Sequence, residues 1–317
     1  MPSLRDLAQL VRAPAALSVP GDVVAGAAAA QALDRRVPGL AGASVLLYWG
    51  GMAANDWADR ELDARERPER PIPSGRVSPG FALGVSAGLT AAGVALAGLA
   101  GGRRALAVAV PLAGTIWAYD LVAKNTSAGP AVMAACRGLD VLLGASQGRT
   151  VRAVPAALTV AAHTYTVTEL SRREVSGASR ALPAATLAGT AAVAAAAMAG
   201  RRSGAGARGG DSSGGGDDRS HPDGANRWTG SRAGPGWRAL VPAVLAGWYG
   251  LQYGAAQARV AADPQASRVR AAVGAGITGL PALQGALVAR AGAAVLGVAV
   301  AAAAPLGRRL ARKVSPT

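Results

Sequence analysis

Residues 40–63 read LAGASVLLYWGGMAANDWADRELD. The first fifteen are apolar or small and carry no charge, whereas the last nine carry four carboxylates. A helix that crosses a bilayer needs about 20 mostly apolar residues. The block 38–54 is therefore read as a membrane helix that ends in acid. Working outward, further apolar blocks fall at 15–33, 79–100, 103–119, 128–147, 153–170, 181–200, 237–262 and 289–307. Together they make about nine helices. The stretch 266–288 is open: Arg268 and Arg270 begin it and an apolar run follows, so it is either an interfacial segment or a tenth span. The expected fold is an all-α, multi-pass transmembrane helical bundle around a central cavity, located in the cell membrane.

Composition agrees. Of 317 residues, 51% are hydrophobic, but 43 are Gly and only 1 is Phe. Ala, Val, Leu and Gly in long blocks suit helices whose backbones approach closely in lipid. The formal charge of +15 does not point to nucleic acid. The arginines sit at the ends of apolar blocks, where they anchor helices, and no basic stripe interleaved with aromatics exists. Cys136 is the single cysteine, which excludes an internal disulfide or a CxxC metal site. Residues 1–15 lack the plan of a cleaved signal peptide, so the first helix is expected to be retained. The chain is read as one domain over 1–317. Residues 201–236, rich in Gly, Ser, Asp and Arg, form an inter-helix insertion that is expected to be disordered, with His221 in solvent.

The acidic end of the second block carries the chemistry. If the helix continued through it, Asn55, Asp59, Asp63 and Asp56 would lie at about 0°, 40°, 80° and 100° around the axis. Three carboxylates and an amide on one face repel one another and destabilise the helix. A divalent cation removes that penalty, and Mg²⁺ favours a few carboxylates plus substrate phosphate oxygens. The stripe thus reads as a site for a diphosphate held through Mg²⁺. Beyond it lies Arg70-Pro71-Ile72-Pro73-Ser74-Gly75-Arg76. Parity puts three loops, 55–76, 119–127 and 169–180, at one membrane face, taken as cytoplasmic. The basic cluster at 308–313 would then fall on the other side.

NDWADRELD followed by RPIPSGR resembles the first signature of the UbiA superfamily of membrane prenyltransferases. The resemblance implies a bundle of about nine helices, a cavity open sideways to lipid, and Mg²⁺-dependent transfer of a prenyl group. It implies that Asn55, Asp59 and Asp63 take the Mg²⁺–diphosphate, with Asp56 in support and Arg70 either near the diphosphate or fixing the loop. Tyr119 and Lys124 match a Tyr and Lys common in the family, the Lys as a diphosphate contact. The family's second acidic signature is expected after the sixth helix. Here the chain has Glu169, Arg172, Arg173 and Glu174, with Arg172 and Ser176 where Asp is usual. Glu169 is a candidate metal ligand, but Glu169 and Glu174 lie about 140° apart on an ideal helix. Glu169 could pair instead with Arg173, and an Arg could contact diphosphate directly. HTYTVTELSRREVSG at 163–177, GPAVMAACRGLDVLLG at 129–144 and the terminal ARKVSPT are most similar to the EboC-like branch.

Arg137 and Asp140 are intramembrane charges spaced to pair at i and i+3. They either line an acceptor pocket or fix helix packing. His163 is read as an interhelical hydrogen-bonding residue before it is read as a base. The expected partners are a prenyl diphosphate donor, a small-molecule or lipid acceptor and membrane lipid, and no nucleic acid. The competing readings are a multi-pass carrier and a non-catalytic scaffold for a lipid or precursor.

Overall fold

The structure, a computed structural model, describes residues 2–13, 18–175, 177, 179, 181–199 and 236–303. The insertion at 201–235, His221, Ser176 and the basic cluster at 308–313 lie outside the described residues. Eleven α-helices are described: α1 Leu4–Leu10, α2 Val19–Ala29, α3 Val37–Ala58, α4 Arg60–Glu66, α5 Pro79–Ala118, α6 Gly129–Ala145, α7 Thr150–Ser171, α8 Ala181–Met198, α9 Trp237–Ala262, α10 Ala266–Arg290 and α11 Ala294–Ala303. A π-turn, Tyr119–Ala123, extends α5. Four segments are long and apolar enough to cross a membrane alone: Val37–Ala58, Pro79–Ala123, Ala181–Met198 and Ala266–Arg290. This is a multi-pass membrane protein, all helical, as the apolar blocks require.

Two of the expected blocks, 79–100 and 103–119, form one element. Within α5 only Gly102 leaves helical geometry, at φ 62°, ψ −154°. Positive φ suits a residue without a Cβ. The chain reverses there, because Gly98 lies against Leu106, while Gly50 and Gly51 of α3 face Thr90 and Ile116 on the two legs. The stretch left open, 266–288, is helical throughout as α10. It is the most enclosed of the four spans, with 72% of its apolar window buried. Its two leading arginines, Arg268 and Arg270, sit in the first two turns.

Small residues set the packing. At Gly26 and Gly144, α2 and α6 meet backbone to backbone: a Cβ on Gly26 would strike the Val141 carbonyl, and one on Gly144 the Val23 carbonyl. One end of the bundle is tied by Arg149 N–H to the Ala30 carbonyl at 3.0 Å and by Gln147 Nε2 to the Gly101 carbonyl at 2.9 Å. The other end gathers α4, the loop at 67–78, the π-turn and the turn after α7.

The packing makes a sharp expectation. Gly144→Val should overpack the α2–α6 contact, cost on the order of 1–3 kcal/mol and lower the thermal unfolding midpoint in micelles. Gly114→Val, whose Cβ meets no atom within 4 Å, should leave the midpoint where it is. Equal midpoints for the two variants would refute this account of the packing.

Candidate active site at the acidic end of the bundle

The helix does not run straight through the acidic signature. α3 ends at Ala58, and Asp59 (φ −87°, ψ 4°) links it to α4. This corrects the single-stripe expectation, because the carboxylates divide into two groups.

Asp56 and Asp63 turn toward guanidinium groups. Arg70 Nη1 lies 2.5 Å from Asp63 Oδ2 and 3.5 Å from Asp56 Oδ1, and Arg12 Nη2 lies 2.8 Å from Asp56 Oδ1. Asp63 is 2% exposed, so it faces protein rather than an open site. Arg70 fixes the loop. Its carbonyl accepts the Ser74 hydroxyl, the Pro71 carbonyl accepts the Val77 N–H, and Gly75 closes the turn at φ 75°. α1 braces that turn from outside, where Arg76 Nη1 reaches Asp6 Oδ1 at 2.5 Å and Arg76 Nη2 the Glu69 carbonyl at 2.6 Å. Ser3 caps α1 through a reciprocal bond with Asp6, which lowers the Asp6 carboxyl below its usual range.

Asn55 and Asp59 form the second group, with the π-turn. Asn55 Nδ2 donates to Asp120 Oδ1 at 3.2 Å, and Lys124 Nζ lies 2.6 Å from Asp59 Oδ1. The π-turn gives this approach a geometric reason: the wider turn, closed by Lys124 N–H on the Tyr119 carbonyl, points Asp120 back at α3. A cavity of about 190 Å³ opens beside these groups. Arg12, Asn55, Tyr119 and Asp120 give it a polar end, and Met52, Ile116, Met133 and Cys136 an apolar one.

The donor set was tested against Mg²⁺. Among the described residues no three His, Cys, Asp or Glu side chains cluster closely enough to hold a metal unaided. Mg²⁺ does not need that, since it takes one or two carboxylates and completes its shell with phosphate oxygens and water. Asn55 and Asp120 offer an amide and a carboxylate at one cavity, Asp59 adds a second carboxylate within electrostatic reach of Asp120, and these hard oxygens fit. Asp63, expected among the ligands, is paired with Arg70.

The turn after α7 reaches the same end of the bundle. Arg172 Nη1 donates to the Thr126 carbonyl at 2.7 Å and to the Lys124 carbonyl at 3.4 Å. Arg172 therefore buttresses the lysine-bearing loop. Glu174 lies within electrostatic reach of Arg67 and Arg270; burial lifts its carboxyl above the ordinary range against their pull. Among the described residues, Glu169 and Arg173 make no side-chain hydrogen bond or ion pair, so the pairing considered for them is not formed.

The Arg137–Asp140 pair is also corrected. Arg137 Nε lies 2.8 Å from Asp22 Oδ2 on α2, while Asp140 accepts the Ser44 hydroxyl of α3. Gln284 Nε2 of α10 donates to Asp22 Oδ1 at 2.6 Å and to the Ser18 carbonyl at 2.8 Å. A partner on a facing helix has won over the neighbour on the same helix. His163 Nδ1 lies 2.8 Å from the Tyr249 hydroxyl and is interhelical, as read. Sequence reasoning missed Asp120 and Arg12. Asp120 had a signal, its i, i+4 spacing from Lys124; Arg12 had none, standing 44 residues from Asp56 in an irregular segment.

The Asp63–Arg70 pair generates a prediction. Arg70→Met removes the 2.5 Å partner of a buried carboxylate, leaving it only Arg67 at 3.8 Å, and should destabilise by about 3 kcal/mol, read as a fall in unfolding midpoint. Adding Asp63→Leu should restore most of it. A double variant no more stable than the single one would show that the pair is not the cause.

Residues 19–170 match the UbiA prenyltransferase family. Several curated relatives are named digeranylgeranylglyceryl phosphate synthase. That of Methanothrix thermoacetophila is 56% identical over 57 residues, covering 18% of this chain and 21% of that protein. That of Methanopyrus kandleri is 40% identical over 101 residues, covering 32% and 37%. That of Halobacterium salinarum is 34% identical over 151 residues, covering 45% and 52%. The chain thus matches about half of the length of these relatives, or less. The fold match extends further. A solved structure described as a digeranylgeranylglyceryl phosphate synthase in membranes superposes with a TM-score of 0.61 at 14% identity, over 91% of this chain and 98% of that one. An apo UbiA homologue from Aeropyrum pernix K1 gives 0.57 at 18% identity, over 89% and 96%. Over residues 19–170, then, this chain is similar to the UbiA prenyltransferase family, and its fold is that of the solved membrane structures over most of its length.

Proposed function

We propose that the protein is an integral membrane prenyltransferase that moves a polyprenyl group from an allylic prenyl diphosphate to an acceptor, with Mg²⁺ as cofactor. The observation that carries this reading is that Asn55 and Asp120 meet at the polar end of a cavity whose other end is apolar, with the Asp59–Lys124 pair within electrostatic reach of Asp120. That polarity matches a donor with a charged head and a hydrocarbon tail.

The residues divide the work. Asn55, Asp59 and Asp120 would hold Mg²⁺, with Glu169 left as an outlying candidate. When bound, Mg²⁺ supplies Lewis-acid stabilisation to the departing diphosphate oxygens. Lys124 exchanges Asp59 for a phosphate oxygen and adds a point charge to the leaving group. Tyr119 and Arg12 line the head-group end. Arg70, with Asp56 and Asp63, keeps the acidic loop in place, and Arg172 keeps the Lys124 loop in place. The apolar wall of Met52, Ile116 and Met133 excludes water that would quench an allylic cation. Arg137 and Asp140, engaged in the interhelical network, serve packing in this reading. Arg173 and Glu174 stand at the rim.

For the acceptor, the relatives named digeranylgeranylglyceryl phosphate synthase favour a glyceryl phosphate carrying a prenyl ether. The resemblance of 163–177 to the EboC-like branch does not specify one. The donor class is common to both.

The test is binding of a non-hydrolysable prenyl diphosphate analogue to the purified protein in nanodiscs, with and without EDTA. Affinity is expected to fall at least tenfold with EDTA, and equal affinity in both conditions would sink the metal-bridged site. For turnover, Asp59→Asn and Asp120→Asn are each expected to lose at least a hundredfold, and Glu174→Ala much less. Retained turnover in Asp120→Asn would remove that residue from the site.

A further inference from the structure

A second concavity, of about 680 Å³, lies between α9 and α10 on the outside of the bundle. Its walls change character along its length. One end holds Arg259, Ser267 and Arg268; Leu251, Ala255, Ala271 and Ala275 follow; Trp248 and Thr278 stand at the far end. Trp248 and Leu251 are 56% and 73% exposed, so this surface faces lipid rather than protein.

The two ends differ in charge and in depth. Arg259 forms no side-chain hydrogen bond or ion pair among the described residues. Arg268 gives only its Nε to Asp263 Oδ2, at 2.8 Å, which leaves its two terminal nitrogens free to donate. Two guanidinium groups and a hydroxyl thus stand at the mouth against one carboxylate already engaged. From Arg259 to Trp248 is eleven residues of helix, about 16 Å at 1.5 Å per residue. That is roughly half of a 30 Å hydrocarbon core. The groove therefore spans one leaflet, with its basic mouth at the interface. The mouth is also at the bundle end that carries the acidic signature, because Arg270 Nη1 donates to the Glu174 carbonyl at 2.9 Å, in the turn after α7.

We propose that this groove is a binding site for one anionic phospholipid of that leaflet. Its phosphate takes the terminal nitrogens of Arg259 and Arg268 and the Ser267 hydroxyl, and one acyl chain runs between α9 and α10 to Trp248. A guanidinium binds phosphate through paired N–H donors, which accounts for arginine at both positions. Length and charge together select the occupant. A zwitterionic lipid would bring a second cation to a mouth already rich in arginine, and a free phosphate would leave the apolar length of the groove unused. The site is separate from the prenyl diphosphate site and does not rest on that reading.

The test uses the full chain, purified in detergent micelles with added phosphatidylglycerol or phosphatidylcholine of equal chain length. Native mass spectrometry counts the retained lipid. Wild type is expected to retain one phosphatidylglycerol in preference to phosphatidylcholine. Arg259→Gln should reduce that retention at least fivefold and leave phosphatidylcholine unchanged. Ala271→Trp, which fills the groove and keeps both arginines, should reduce it as well. Arg259→Gln is exposed and unpaired, so its unfolding midpoint without added lipid should equal that of wild type. Undiminished phosphatidylglycerol retention in either variant, equal retention of the two lipids by wild type, or displacement of the lipid by inorganic phosphate would overturn the proposal.

Discussion

A guanidinium inside a bilayer has to be neutralised by protein, and Arg137 is the group on which the packing turns. It is 6% exposed, with Asp22 of α2 at its Nε and the Tyr48 ring of α3 5.5 Å below it. Asp22 is held in turn by Gln284 of α10, and Asp140 by Ser44 of α3. Four helices far apart in sequence are thereby fixed in register by polar contacts that apolar packing alone would leave free to slide. Removing one partner of such a cluster leaves a buried charge uncompensated, which costs far more than an exposed pair contributes. The close contact at Gly26 and Gly144 brings α2 and α6 near enough for Asp22 to reach Arg137. Packing and electrostatics therefore specify the same arrangement.

The same logic orders the acidic end. The buried carboxylates at this end have partners: Asp63 and Asp56 of the signature have arginines, and Asp120 of the π-turn has an amide. Asp59 is more exposed and carries a lysine. The permanently charged partners hold the scaffold, and the lysine sits on the group beside the cavity. A planar guanidinium shared between carboxylates suits fixed architecture, whereas an ammonium on a flexible stem can change partners.

Much of this was legible in the chain. The apolar blocks gave the helices, and NDWADRELD with RPIPSGR gave the loop that matters. Asn55 and Tyr119 line the cavity, and Lys124 pairs with Asp59. What escaped did so for physical reasons. Asp63 falls on one face with Asn55 and Asp59 on an ideal helix, but the helix bends at Asp59 and the side chain pairs with Arg70. Asp120 reads as an ordinary interfacial acid unless the π-turn is foreseen, and no propensity signals it. The i, i+3 spacing of Arg137 and Asp140 suggested a pair, but spacing along one helix cannot show a better partner on another. The two arginines of 266–288 lowered its apolar signal. They fall in the first two turns, so they mark where α10 begins rather than argue against it.

The reversal at Gly102 bears on how the chain enters the bilayer. The legs of α5 are joined with almost no connecting loop, so neither leg can cross while the other waits outside. Their joint apolar length suits insertion as one hairpin. Arg103 and Arg104 stand at its tip, and each would cost about 2.5–3.5 kcal/mol at the centre of the membrane. That toll falls on a transient state, and the apolar length of both legs offsets it together. Biogenesis of this segment is thus a single cooperative event, with its direction of travel set by the residues at 67–78 that remain behind.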